Sequence, residues 1–93
     1  MKQAKMTLII DNERVRVSRW DFEPDAATGF HRHEYDYVVV PLKSGKLKSV
    51  DGEGNATFHE LTEHLPYSRS AGVEHDIINA NPYPFAFLEI EIK

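Results

Sequence analysis

Three histidines in this sequence stand where they could share one ligand. His31 and His33 are separated by a single residue in the segment TGFHRHEYDYVVVPL, and His75 follows a glycine turn in AGVEHDIIN. In a β-strand, side chains at i and i+2 point to the same face about 6.5 to 7 Å apart, so His31 and His33 can aim two rings at one point from one wall. A third imidazole from a neighbouring strand would complete a facial set. Zinc, iron, manganese and nickel all accept neutral imidazole at such a point. The pair alone is weak evidence, because a composition with five histidines produces an HxH pair in roughly one shuffled sequence in four. Exposed or internally hydrogen-bonded histidines on a polar sheet face account for the pair equally well.

Other residues carry similar alternatives. Tyr37 shares the strand parity of His31 and His33, and reads either as a phenolic acid or base beside an ion or as a space-filling interior aromatic. Tyr67 and Arg69 share a parity in the segment before His75. Facing inward, Arg69 would clamp a carboxylate; facing outward, the arrangement expected here, it is a solvated arginine. Ile77 and Asn79 fall on the strand face of His75. Trp20, Phe30 and Tyr35 either line a pocket mouth or join the core. His59 and His64 have no spacing that joins them to the other three and read as surface residues. Glu89 and Glu91 alternate with Leu88, Ile90 and Ile92, and read as solvated charges or as a guard against edge pairing on a terminal strand.

The elements that must position these residues are nearly all strands. Short β-branched and aromatic segments recur between Gly, Pro, Asn and Asp, and none sustains helical periodicity over three turns. Strands are expected over residues 7–10, 14–22, 37–42, 46–50, 56–61, 66–70, 75–79 and in the final FAFLEIEIK. DGEGN (51–55) marks a hairpin turn. The shift of apolar phase from Val15 and Val17 to Trp20 and Phe22 predicts a bulge near Ser18. Such spacing points to a β-sandwich or closed barrel, and 93 residues form a single domain spanning 1–93.

Composition narrows the chemistry. The absence of cysteine removes disulfides, thiolate nucleophiles and thiolate ligands together. A net charge of −4 with interspersed signs argues against a nucleic-acid partner. The only early apolar run, Leu8 to Ile10, is too short for a signal core or a membrane span, so a soluble, cytoplasmic protein is expected.

Two stretches, PDAATGFHRHEYDYVVVPLKSG and AGVEHDIIN, resemble the two signature motifs of the cupins, small double-stranded β-helix (jelly-roll) barrels. The resemblance covers about Asp11 to Lys93. His31 and His33 match the family's paired metal ligands, His75 the third histidine, Gly72 the turn glycine and Asn79 the terminal asparagine, while Gly45 falls one position late. Together with DNERVRV, these motifs resemble more narrowly a group of short bacterial single-domain cupins, some associated with β-alanine catabolism. Asp25, His64 and Ser70 replace turn residues of the pattern. Tyr37 stands where the family usually supplies a glutamate ligand, and Asp36, one place earlier, points outward by alternation.

The resemblance therefore implies a divalent transition metal (Fe, Mn, Ni or Zn) on His31, His33 and His75, assisted by Tyr37, with Tyr35, Tyr67, Arg69 and Asn79 around a small-molecule ligand. Such a site is similar to the three-histidine iron sites of thiol and diketone dioxygenases. Loss of the glutamate is equally consistent with a site that binds metal poorly. The functions implied are an Fe(II) dioxygenase acting on a small carboxylate-type molecule, a metal-dependent isomerase or lyase, or a non-catalytic sensing cupin. A free N-terminal strand, Met6 to Ile10, favours a homodimer.

Overall fold

The computed structural model describes residues 2–93. They form nine strands: β1 (Lys5–Asp11), β2 (Val15–Phe22), β3 (His31–Arg32), β4 (Asp36–Pro41), β5 (Gly45–Val50), β6 (Ala56–Leu61), β7 (Tyr67–Arg69), β8 (Glu74–Asn79) and β9 (Phe85–Ile92). One sheet has the order β1-β2-β9-β4-β7 and the other β3-β8-β5-β6. All the pairings between named strands are antiparallel. The first sheet contributes Phe22, Val39, Phe85 and Phe87 to the core, and the second contributes Leu47 and Leu61. This is the jelly-roll barrel that the motifs imply.

The turn chemistry is local. Asp51 Oδ1 accepts hydrogen bonds from the backbone N–H of Glu53 and of Asn55, both at 2.9 Å, and Gly54 takes φ 86° to close the β5–β6 hairpin. The bulge lies elsewhere than expected. Pairing of β2 with β9 runs unbroken from Val15↔Ile92 to Phe22↔Phe85, and the register shift falls in β1, between Leu8 and Ile10. The change of phase in β2 is a change of apolar face: Val15 and Val17 lie on the outer face of the sheet, Trp20 and Phe22 on the inner.

Strand β9 is central rather than an edge, lying between β2 and β4. Its inner face carries Phe85 and Phe87 at one end and Glu89 and Glu91 at the other, so it divides the interior into an apolar floor and a polar chamber. The loop from Glu23 to Phe30 is stapled along β8: Asn79 N–H donates to Ala26 O at 3.0 Å and Thr28 N–H to Ile77 O at 2.9 Å. That staple delivers His31 directly opposite His75 in the β3–β8 pairing.

Candidate metal centre

Backbone pairing brings the three histidines together. His31 and His75 are cross-strand partners on the inner face. His33 lies just beyond β3, where its N–H donates to Val73 O at 2.9 Å and its carbonyl accepts from Gly72 N–H at 2.8 Å. Gly72 can make this turn because it adopts φ 96°, a region open to glycine at little cost.

The Nε2 atom of His33 lies 3.0 Å from Nε2 of His31 and 3.1 Å from Nε2 of His75. Two nitrogens about 2.1 Å from one ion, at right angles to each other, are separated by about 3.0 Å. Both spacings from His33 thus fit adjacent corners of an octahedral site, and the ligand atoms of all three lie within 4.8 Å of one another. Behind His31, Nδ1–H donates to Gly29 O at 2.8 Å, which leaves the Nε2 lone pair aimed at the other two rings. Ser49 Oγ lies 3.5 Å from His75 Nδ1. Three converging lone pairs repel one another unless a cation sits among them, so the donor set suits a divalent metal.

Burial keeps the imidazoles ready for an ion. His33 is only 4 % exposed and His75 only 7 %. Burial first, and then repulsion from neighbouring imidazoles, depresses His33 from its ordinary 6.5 to about 4 and His75 to about 3. Both are neutral at pH 7, the form that binds metal. Tyr37 stacks on His33, with ring centroids 3.8 Å apart and planes inclined by 17°. Burial pushes its phenol up to about 12 despite the nearby Arg69, so it is a hydrogen-bond donor at neutral pH.

The triad lines one end of a cavity that also includes Tyr37, Tyr67 and Arg69. Arg69 therefore turns towards the cavity rather than outward, although all of β7 is exposed and the side chain keeps the solvent contact expected of it. The β4–β7 register places Arg69 opposite the inward-pointing Tyr37. Two residues read as surface groups also line this cavity: His59 and Glu89. Glu89 is inward because β9 is central and inverts the expected burial of its two faces. Burial, with repulsion from Glu91 second, raises its carboxyl to about 7. Glu91 faces the same interior rather than bulk solvent; a ring nitrogen of His33 and one oxygen each from Glu89 and Glu91 lie within 4.8 Å of one another.

Two expected pocket residues lie elsewhere. Tyr35 is half-buried and outside the cavity lining. Asn79 is 0 % exposed and serves the backbone: its Nδ2 donates to Tyr83 O at 2.9 Å and Glu23 O at 3.2 Å, and its Oδ1 accepts from Asn81 N–H at 3.0 Å. Phe30 is 55 % exposed and packs towards Gly52 rather than the cavity. Trp20 packs against the core and lines a side opening beside His31 and His33. His64 is exposed at a turn, as expected, and Asp36 points outward, its Oδ1 accepting from Ala71 N–H at 2.8 Å.

A jelly-roll barrel with three imidazoles from two separate segments converging between its sheets defines the cupin class. No family model matches the chain. The β-alanine degradation protein BauB of Pseudomonas aeruginosa is 47 % identical over 91 residues, 98 % of this chain and 95 % of that protein. A crystal structure of a cupin domain from Bordetella pertussis aligns with TM-score 0.94 and 48 % identity, covering 99 % of this chain and 95 % of that one. A cupin domain of an XRE family transcriptional regulator from Enterobacter cloacae shares the fold, with TM-score 0.76 and 13 % identity over 99 % of this chain and 98 % of that one. The chain belongs to the cupins and, within them, to the group of small cupins that includes the Pseudomonas protein. No helix among the described residues is long and apolar enough to cross a membrane.

Proposed function

We propose that this protein is a metal-dependent enzyme acting on a small carboxylate, with His31, His33 and His75 holding a divalent transition ion. The observation that carries this reading is the convergence of the three Nε2 atoms, at 3.0 and 3.1 Å, inside a cavity that keeps His33 and His75 neutral. A divalent ion held there supplies Lewis-acid chemistry and, if it is iron, dioxygen chemistry. Arg69 receives the substrate carboxylate at the cavity mouth. Tyr37, still protonated at neutral pH, donates a hydrogen bond to a substrate oxygen. The Pseudomonas relative is named for β-alanine degradation, and a short carboxylate from that chemistry is the substrate class we carry to this chain. Fe(II)-dependent dioxygenation is the reaction we favour, in which iron held by His31, His33 and His75 would supply the dioxygen chemistry.

Elemental analysis of the untagged protein, purified without chelator beside a His31→Ala/His75→Ala variant, tests the site. Near one equivalent of a transition metal in the parent, absent from the variant, is expected. No metal in the parent, even after anaerobic addition of Fe(II), overturns the reading. Oxygen uptake with short carboxylates then tests the reaction: turnover persisting under argon indicates an isomerase or lyase, and ligand-dependent thermal stabilisation without product indicates a binding protein.

The reading includes a homodimer. Strand β1 is an open sheet edge on which Met6, Leu8, Ile9 and Ile10 are 46 to 52 % exposed. A second copy pairing along this edge would satisfy its free backbone groups and cover that apolar surface.

A further inference from the structure

Beyond the triad, the cavity holds a guanidinium and a carboxyl group that do not meet. Arg69 on β7 and Glu89 on β9 flank β4, Arg69 opposite Tyr37 and Glu89 opposite Val39. Strand spacing and rise put such a diagonal pair of Cα atoms roughly 12 Å apart. Both side chains line the same cavity. Arg69 and Glu89 have no ion-pair partner within 4.0 Å among the described residues, although six other such pairs form in the molecule.

The space between them is small, its walls largely apolar with Val39, Leu47 and Phe87 beside the polar groups. The hydroxyls of Tyr37 and Tyr67 feel both charges, Arg69 pulling their acidity one way and Glu89 the other. Glu89 is desolvated without a counter-charge, and repulsion from Glu91 adds to that cost. About 30 Å³ of the cavity is open to a water-sized molecule and its mouth opens past the exposed Tyr67 and Arg69, so a ligand must be short and must reach in from that side. A carboxylate alone would satisfy Arg69 and leave Glu89 unpaired. A ligand bearing both charges satisfies both residues.

We propose that the cavity binds a short amino-acid zwitterion, with its carboxylate on Arg69 and its ammonium on Glu89. This deepens, and rests on, the reading of the site as a carboxylate-binding metal centre. The two residues then hold the carbon chain across Tyr37, facing the imidazole triad.

Isothermal titration of the protein as purified, with metal content measured in parallel, tests the assignment. The probes are glycine, β-alanine and γ-aminobutyrate, each against the matching acid without nitrogen: acetate, propionate and butyrate. At least one amino acid is expected to bind about tenfold more tightly than its nitrogen-free partner, the usual effect of one charge-assisted hydrogen bond. Glu89→Gln should abolish that preference and leave the simple acid's affinity unchanged, whereas Arg69→Gln should weaken both about tenfold. Equal affinities in every pair, no binding by any probe, or an undiminished preference in Glu89→Gln would overturn the proposal. So would loss of metal in Glu89→Gln, which would make Glu89 a ligand of the ion. A parent protein without metal would overturn the metal reading instead, and the same titrations on that protein still decide between Glu89 and no ammonium site.

Discussion

Tyr37 occupies the position at which the cupin pattern usually supplies a carboxylate ligand, and its environment suits a different task. Its ring stacks on His33 and its phenol is held protonated by burial. Replacement by phenylalanine should keep the stack and the metal content, while weakening substrate affinity or turnover about tenfold through loss of one buried hydrogen bond. Elemental analysis with titration calorimetry checks this, and unchanged affinity would make the hydroxyl merely structural. At this scale the histidines were legible in the sequence: the HxH spacing joined His31 to His33, and the second motif, AGVEHDIIN, added His75. The role of Arg69 was not legible. Parity groups Tyr67 with Arg69, but only pairing opposite Tyr37 and Val39 says which way that parity faces.

Element by element, the site depends on a turn and a staple. The Gly72 turn binds the backbone of His33 immediately before β8 presents His75. At φ 96°, alanine would be strained by about 1 to 2 kcal/mol. Gly72→Ala is therefore expected to lower the melting temperature by about 5 to 10 °C and to weaken metal binding with it, measured by thermal unfolding of metal-free and metal-loaded protein. A full loss of stability with unchanged metal affinity would mean that the turn does not set the triad. The hairpin at DGEGN was readable because Asp and Gly make that turn from within. The position of Asn79 was misread because strand parity put it on the face of His75 correctly, yet could not reveal the carbonyls that surround it at the far end of β8. The phase change in β2 was misread for a related reason: a sheet with two partly apolar faces imitates a bulge.

Over the whole molecule, buried ionisable groups set the acid stability of the metal-free protein. His33 and His75 titrate near 4 and 3 in the folded chain, against 6.5 ordinarily. As pH falls from 6.5 towards 3, the unfolded chain takes up protons that the folded chain refuses, so stability is lost through that window. Glu89 acts oppositely: raised to about 7 from 4.5, it is protonated first in the folded state, so acidification from 7 to 4.5 adds stability. Between pH 6.5 and 4.5 Glu89 offsets only one of the two histidines, so stability is already lost there, about half as steeply as just below pH 4.5. Glu89→Gln should remove the offset, raising the melting temperature at pH 8 by about 5 °C and making the loss between pH 6.5 and 4.5 about twice as steep. Thermal unfolding across pH after chelation measures both, and identical pH profiles for parent and variant would sink the account. For assembly, light scattering at micromolar concentration should report a dimer; a monomer there would rule out pairing along β1.

The amino-acid sequence by itself determined the all-β class, the hairpin and the absence of thiol chemistry, because each rests on composition or on spacing within one segment, and it offered the three candidate ligands through two motifs from separate segments. Only the tertiary structure decided which face of each strand is interior. Glu89 belongs to the cavity because β9 lies between β2 and β4, and His59 belongs to it because β6 pairs with β5 in register with Leu47. A strand's alternation defines two faces without labelling them, and the label comes from strands distant in sequence that pack against one of the two.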